Sequence, residues 1–319
     1  MRDVVFEALA EAARNGEPVV LGIITGTQGS SPQKAGAKAL FHGDGRVRGT
    51  LGGGCLEAEI QRRALQSLGT GLGAKFELAL DDDFGWDDGL LCGGTVGGLI
   101  LPNAQGAGER FWRELAEPRE ARTWGVRADY SLAGNAERGD GTQEGAASSS
   151  LAQDWLYQEK VAPPCALWIA GAGHIAQAVA PLALKLDFEV TVFDDRPALA
   201  NSRFFPAEVA LRAEAWEKLL ALPLPSAPSF GLIVTRGHRH DALVLANWIH
   251  KPFRFLAMIG SARKARAVFE HFAQERLATA EELQRVACPA GVRIRCQTVM
   301  EIAVSIMAQF IDKRAESAG

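Results

Sequence analysis

Ala-Leu-Trp-Ile-Ala-Gly-Ala-Gly-His-Ile-Ala, residues 166–176, decides how the second half of this chain folds. The apolar run at 166–170 reads as a strand buried on both faces. Gly171-Ala172-Gly173-His174-Ile175-Ala176 then fits the pattern G-x-G-x-x-A at the point where a strand gives way to a helix. The first glycine permits a tight turn. The second lets backbone approach a pyrophosphate, and the third small residue lets the helix pack close to the strand. The helix that opens at His174 offers unpaired N–H groups to phosphate.

The same alternation continues outward. A helix pattern covers 174–185, and EVTVF at 189–193 is a strand ending at Asp194. Asp194 stands 23 residues after Gly171, where an acid is expected to meet a ribose 2′-hydroxyl. Further strands are read at 208–212, 230–234 and 253–260, with helices at 214–220, 241–250 and 263–274. Thr279 and Glu282 form a capping-box pattern, and the last helix sets Ile302, Ile306 and Phe310 at helical spacing. Strands and helices in strict alternation predict a doubly wound parallel sheet.

Upstream the pattern is less regular. Strands are read at 18–27, 37–42, 74–80 and 96–102, and helices at the N-terminus, at 56–68 and near 109–115. This predicts an α+β domain over 1–132. Residues 133–150 contain no aliphatic residue larger than alanine, no aromatic and no cysteine. That composition suits a flexible Gly/Ser-rich linker, expected over 133–163, before the second domain at 164–319. The 319 residues match a prior of roughly two domains.

Composition removes several classes of function. Lys and Arg total 34 against 38 Asp and Glu, so the chain lacks the basic footprint of a general nucleic-acid binder. No apolar run reaches the ~18 residues of a membrane span, and the N-terminus has no signal-peptide pattern. Five cysteines make a poor disulfide framework, which points to a reducing, cytoplasmic location. No C-x-x-C pair or Cys/His cluster suits structural zinc, and no P-loop, H-E-x-x-H or nucleophile elbow occurs, so no catalytic residue is assigned.

Four further motifs carry chemistry. Gly52-Gly53-Gly54 precede a helix headed by Cys55 and Glu57, an arrangement that makes an anion-binding nest and favours a thiolate. Cys92, beside Gly93 and Gly94, repeats the theme after an acidic stretch and is expected to share a site with Cys55. Arg236, His238 and Asp241 follow a strand end, where open α/β sheets bind ligands. Ser261 and Lys264 sit at the next strand end, in a turn suited to phosphate. The plain alternatives are a buried inert cysteine, a solvated acidic loop, and Asp241 and Ser261 as helix caps.

Taken in order, these motifs resemble the xanthine dehydrogenase accessory proteins, the XdhC/CoxI family. The resemblance rests on Gly29–Gly36, Gly52–Glu57, Cys92–Gly94, Gly171–His174, Asp194–Arg196, Arg236–Asp241, Ile259–Ser261 with Lys264, Cys288–Gly291 and Glu301–Ile306. It implies an XdhC/CoxI-type domain followed by a Rossmann-like domain, often in a homodimer. It also implies a carrier that holds the molybdenum cofactor for sulfuration with a cysteine desulfurase and inserts it into an apo molybdenum hydroxylase. One departure is the run Arg295, Cys296 through Met300, which lacks the family's proline before the last helix. Two other readings stay open on the residues alone: an NAD(P)-dependent oxidoreductase using Gly171, Gly173 and Asp194, and a nucleotide-sensing regulatory module.

Overall fold

The computed structural model describes residues 3–31, 33–80, 94–136 and 154–316. The chain divides into two compact units between Pro163 and Pro164.

The N-terminal unit begins with helix α1 (Val4–Asn15), capped by the Asp3 side chain, which accepts from the Val5 N–H. Strands β1 (Val19–Gln28), β2 (Lys38–His42), β3 (Val47–Gly49), β4 (Ala74–Leu80) and β5 (Gly94–Pro102) form a sheet of order β3-β2-β1-β5-β4. All its pairings are antiparallel. Helix α2 (Gly54–Thr70) lays Leu56, Ile60 and Ala64 on one face, against Val20, Phe41 and Ile100. Helices α1 and α3 (Glu109–Ala116) cover the other face with Phe6, Leu9, Trp112 and Leu115.

A second, three-stranded sheet joins β6 (Arg122–Arg127), β7 (Leu132–Ala136) and β8 (Trp155–Val161) in the order β7-β6-β8. Here the expected linker over 133–163 is corrected at both ends. Trp124 pairs with Gly134 on one side and with Glu159 on the other. Glu159 then meets Lys38 at 2.8 Å and accepts from the Trp124 Nε1–H at 3.0 Å. Lys38 is 6% exposed and also contacts Asp3. A buried lysine needs such partners, and β8 supplies one of them. Residues 137–153 of the expected linker lie outside the described residues.

The C-terminal unit is the α/β sheet expected from its sequence. Its strands are β9 (Cys165–Ala170), β10 (Phe188–Asp194), β11 (Ala210–Ala213), β12 (Ser229–Ile233), β13 (Phe255–Met258) and β14 (Val286–Ala287). They are all parallel, in the order β11-β10-β9-β12-β13-β14. That is the Rossmann strand order, with its switch point between β9 and β12. Leu167 and Ile169 point to a layer built by helices α4 (His174–Lys185) and α9 (Val299–Ala315). Trp168 and Ala170 point to the opposite layer, which contains α5 (Trp216–Leu220), α6 (His238–Trp248) and α7 (Ala262–Gln274). Short helix α8 (Ala280–Gln284) carries the capping box read at Thr279. Burial of β9, β12 and β13 on both faces explains why these strands read as continuous apolar runs, whereas the edge strand β11 is exposed to half-buried. Among the described residues no helix is long and apolar enough to cross a membrane.

Candidate functional site

The carboxyl edge of the parallel sheet gathers most of the residues singled out in the C-terminal half. The turn after β9 is pinned at the switch point. The Gly171 N–H donates to Phe193 O at 2.7 Å, and the Val234 N–H donates to Ala170 O at 2.8 Å. Gly171 has φ +111°, and a Cβ there would stand 2.3 Å from Val234 O. Only glycine fits this conformation and this approach. Gly173 and Gly237 are the N-caps of α4 and α6, and neither helix start has a side-chain cap. A Cβ at either glycine would meet nothing within 4 Å. The two helix starts thus present open backbone at the switch point, where phosphate-bearing ligands bind such sheets. His174 and His238, which open the two helices, are both exposed.

Asp194 has a different task from the one its position suggests. Its carboxylate accepts from the Ala172 N–H at 2.7 Å, from the Arg196 N–H at 2.9 Å, and from Arg196 Nε and Nη2 at 2.8 Å each. It is 1% exposed. Where a ribose contact was expected of Asp194, both its oxygens hold the glycine turn and Arg196. Burial alone would raise the Asp194 carboxyl pKa, but these charge-assisted and amide hydrogen bonds outweigh it and hold the group below its ordinary range. Beside it, Asp195 accepts from Arg236 at 2.8 Å, and Arg236 also lies 3.0 Å from His240 Nε2.

Asp241 is likewise an inner support and does not cap α6, whose N-cap is Gly237. Asp241 is 1% exposed. It accepts from the Thr235 N–H at 3.0 Å and the Thr235 hydroxyl at 2.6 Å, and its second oxygen pairs with Lys264 Nζ. Lys264 also donates to Ile259 O at 3.2 Å. One ion pair, with Asp241 buried and Lys264 half-buried, therefore ties the turn after β12 to the turn after β13. Ser261 caps α7 by accepting from the Lys264 N–H. A Cβ at Gly260 would lie 2.9 Å from Lys264 Cδ and 3.5 Å from Cys288 Sγ, so the thiol sits beneath this turn. Burial pushes the Cys288 thiol pKa up, against the pull of Lys264.

The N-terminal unit has its own motif-bearing edge. Register pairs Gln28 with Thr95, Ile23 with Lys38, Ala39 with Gly49, and Leu80 with Gly94. In an antiparallel sheet these ends fall together, so the 29–37 loop, the turn at 50–54 and the start of β5 share one edge. Gly52, Gly53 and Gly54 have φ +120°, +73° and +57°, three left-handed residues in a row. Gly53, the N-cap of α2, makes no side-chain cap, so the helix start presents open backbone. Cys55 follows in the first turn of α2, half-buried. Glu57 accepts from the Thr50 hydroxyl at 2.7 Å and the Leu51 N–H at 2.9 Å, so it braces the turn from inside. Cys92 and Gly93 lie outside the described residues.

Arg196, Asp195 and Thr235 are the functional candidates that the motif reading left unassigned. The signal for Arg196 was its spacing two residues beyond a strand-terminal acid. A cavity of about 380 Å³ opens at the opposite, amino end of the sheet, with Trp248, Phe253, Arg285 and Lys313 among its lining. Several of its cations stand at or just beyond helix C-termini, which favour positive charge without any ligand. It is remote from the glycine turn. Among the described residues no group of three or more His, Cys, Asp or Glu is placed to hold a metal ion.

Two family models match the chain: an XdhC Rossmann domain over residues 167–310 and the XdhC and CoxI family over residues 12–77. A Bacillus subtilis protein, a probable xanthine dehydrogenase subunit, is 25% identical over 322 residues, covering 93% of this chain and 94% of that protein. The molybdenum cofactor insertion chaperone PaoD of Escherichia coli is 24% identical over 305 residues, covering 95% of this chain and 86% of that one. A crystal structure described as a xanthine dehydrogenase from Bacillus halodurans superimposes with a TM-score of 0.76 at 24% identity. That fold match covers 98% of this chain and 96% of the other. With both halves matched in the order their motifs were read, the chain belongs to the XdhC and CoxI family.

Proposed function

We propose that this protein is an accessory factor that holds the molybdenum cofactor as cargo and inserts it into a xanthine dehydrogenase-type molybdenum hydroxylase. The observation that carries the reading is the N-terminal edge, where three left-handed glycines open α2 directly before Cys55. Backbone N–H groups of Gly53 and Gly54 suit the phosphate of a pterin cofactor, while the Gly52 N–H donates to the Thr50 hydroxyl at 3.1 Å. The Cys55 thiol is a soft donor suited to the neighbourhood of the dithiolene or the metal. Whole-chain similarity to the E. coli insertion chaperone supports the same assignment. A cysteine desulfurase for sulfuration, an apo molybdenum hydroxylase as recipient, a second copy of this chain as a homodimer partner and a cytoplasmic setting complete the proposal.

Cys55→Ala tests it. The variant, purified from a host competent for cofactor synthesis, is expected to lose about tenfold or more of its bound cofactor, the scale of losing an interaction at a metal site. It is expected to keep its circular dichroism spectrum and to fail in activating apo xanthine dehydrogenase. Unchanged cofactor content would remove Cys55 from the site.

A second reading is favoured by a separate observation. The Rossmann strand order with the pinned Gly171 turn and open backbone at Gly173 suits a nucleotide in the C-terminal unit. That nucleotide is NAD(P)-like, as a regulatory ligand or a hydride donor.

A further inference from the structure

The two acids that end β10 each carry an arginine, and this determines which nucleotide the edge can accept. A dinucleotide with a free ribose diol needs a carboxylate to accept its hydroxyls. Asp194 has both oxygens engaged, on Ala172 and Arg196. Asp195 has one oxygen on Arg236 at 2.8 Å. The groups that reach solvent are the cations: the Arg196 side chain is 31% exposed against 1% for Asp194, and Arg236 is 42% exposed against 23% for Asp195. A guanidinium has five N–H donors. Arg196 turns Nε and Nη2 toward Asp194, which leaves donors over for an incoming anion. Asp194 at the same time fixes the plane of that guanidinium, so little side-chain freedom is lost when a ligand binds.

We propose that Arg196, oriented by Asp194 and seconded by Arg236, makes the C-terminal unit selective for a nucleotide bearing a phosphate on the adenosine 2′-oxygen over one with a free diol. The inference rests on the nucleotide reading above and is independent of the cofactor cargo. A 2′-phosphate presents acceptors to donors, forming the short charge-assisted bonds that planar guanidinium groups favour. A free diol there accepts from those donors only without charge, the weaker kind of bond, and the carboxylate oxygen left to accept from it is the second one of Asp195, 4.0 Å from Arg196 Nε.

The test is equilibrium titration of the full chain with NADPH and with NADH, followed by nicotinamide fluorescence. NADPH is expected to bind at least tenfold tighter. Adenosine 2′,5′-bisphosphate is expected to displace it, and 5′-AMP is not. Arg196→Ser is expected to lose about tenfold in NADPH affinity and to gain affinity for NADH as Asp194 is released, whereas Arg196→Lys, which keeps the charge without the planar fork, retains only part of the preference. Thermal unfolding of each variant checks its fold, and the wild-type comparison stands even if Arg196→Ser does not fold. Equal binding of NADH and NADPH overturns the selectivity and leaves the nucleotide reading intact. No binding of either overturns both. Unaltered preference in a folded Arg196→Ser variant removes the role given to Arg196.

Discussion

Lys264→Met is expected to destabilise the protein by about 3 kcal/mol, the low end of the cost of stranding a buried charge, since Asp241 is buried but the Lys264 side chain is 26% exposed. Asp241 is 1% exposed and has Lys264 as its one cationic contact among the described residues. Methionine fills much of the same volume, so most of the loss is electrostatic and little comes from a cavity. The remaining partners of Asp241, the Thr235 N–H and hydroxyl, are neutral and cannot balance a buried charge. Adding Asp241→Asn to the variant is expected to recover most of the loss, because the amide oxygen still accepts from Thr235 and no charge is left behind. Chemical denaturation of the full chain, followed by far-ultraviolet circular dichroism, measures both variants. A loss under about 1 kcal/mol for Lys264→Met would place the pair among those that are nearly neutral when one partner goes, and would remove it as the tie between the two turns.

Gly171→Ala is expected to cost a comparable amount, about 2–6 kcal/mol, from two sources. Backbone held at a φ that L-residues rarely adopt costs about 1–3 kcal/mol. Forcing a methyl group into a packed site costs a further ~1–3 kcal/mol. Here the methyl carbon would stand 2.3 Å from Val234 O and 2.9 Å from Thr235 Cα, which are backbone atoms unable to swing aside. Gly173→Ala is the matched control. Gly173 has φ −75°, and a Cβ would meet nothing within 4 Å. Its stability is expected to change by no more than about 0.5 kcal/mol, the usual range for a substitution away from packed features. Its nucleotide affinity is expected to fall, since the methyl group intrudes on open backbone. If both variants are equally stable, the turn is not pinned at the switch point.

The second half of the fold was legible because its inner strands β9, β12 and β13 are buried on both faces and each ends in a turn motif. FGLIV and FRFLAMIG are largely apolar and EVTVF is rich in β-branched residues, and their alternation with helices is what implied a doubly wound parallel sheet. The three-stranded sheet of the first half was not legible. Leu132–Ala136 is poor in strand-forming residues, and Trp155–Val161 directly follows a Gly/Ser-rich run, so composition argued for a linker. What makes β8 a strand is a partnership across more than a hundred residues, Glu159 with the buried Lys38. A lysine opening KALFH reads as an exposed strand end, and no local pattern reveals its burial.

The candidate site was legible in part. Gly171, Gly173, Asp194, Asp241, Ser261 and Lys264 do fall at one sheet edge, because strand ends were read correctly. Their roles were not legible. Whether an acid faces a ligand or the protein depends on which donors converge on it, and Asp194 and Asp241 are both enclosed by donors close in sequence or one strand away. In the N-terminal unit Glu57 was read beside Cys55 as a binding residue, yet its oxygen closes the turn that presents the glycines.

The most direct measurement is the molybdenum and pterin content of the full chain purified anaerobically from a molybdate-supplied, cofactor-competent host. Metal is read by mass spectrometry and pterin by the fluorescence of its oxidised form after acid release. Near-stoichiometric pterin is the expected result. A folded protein from such a host with no pterin would contradict the carrier function.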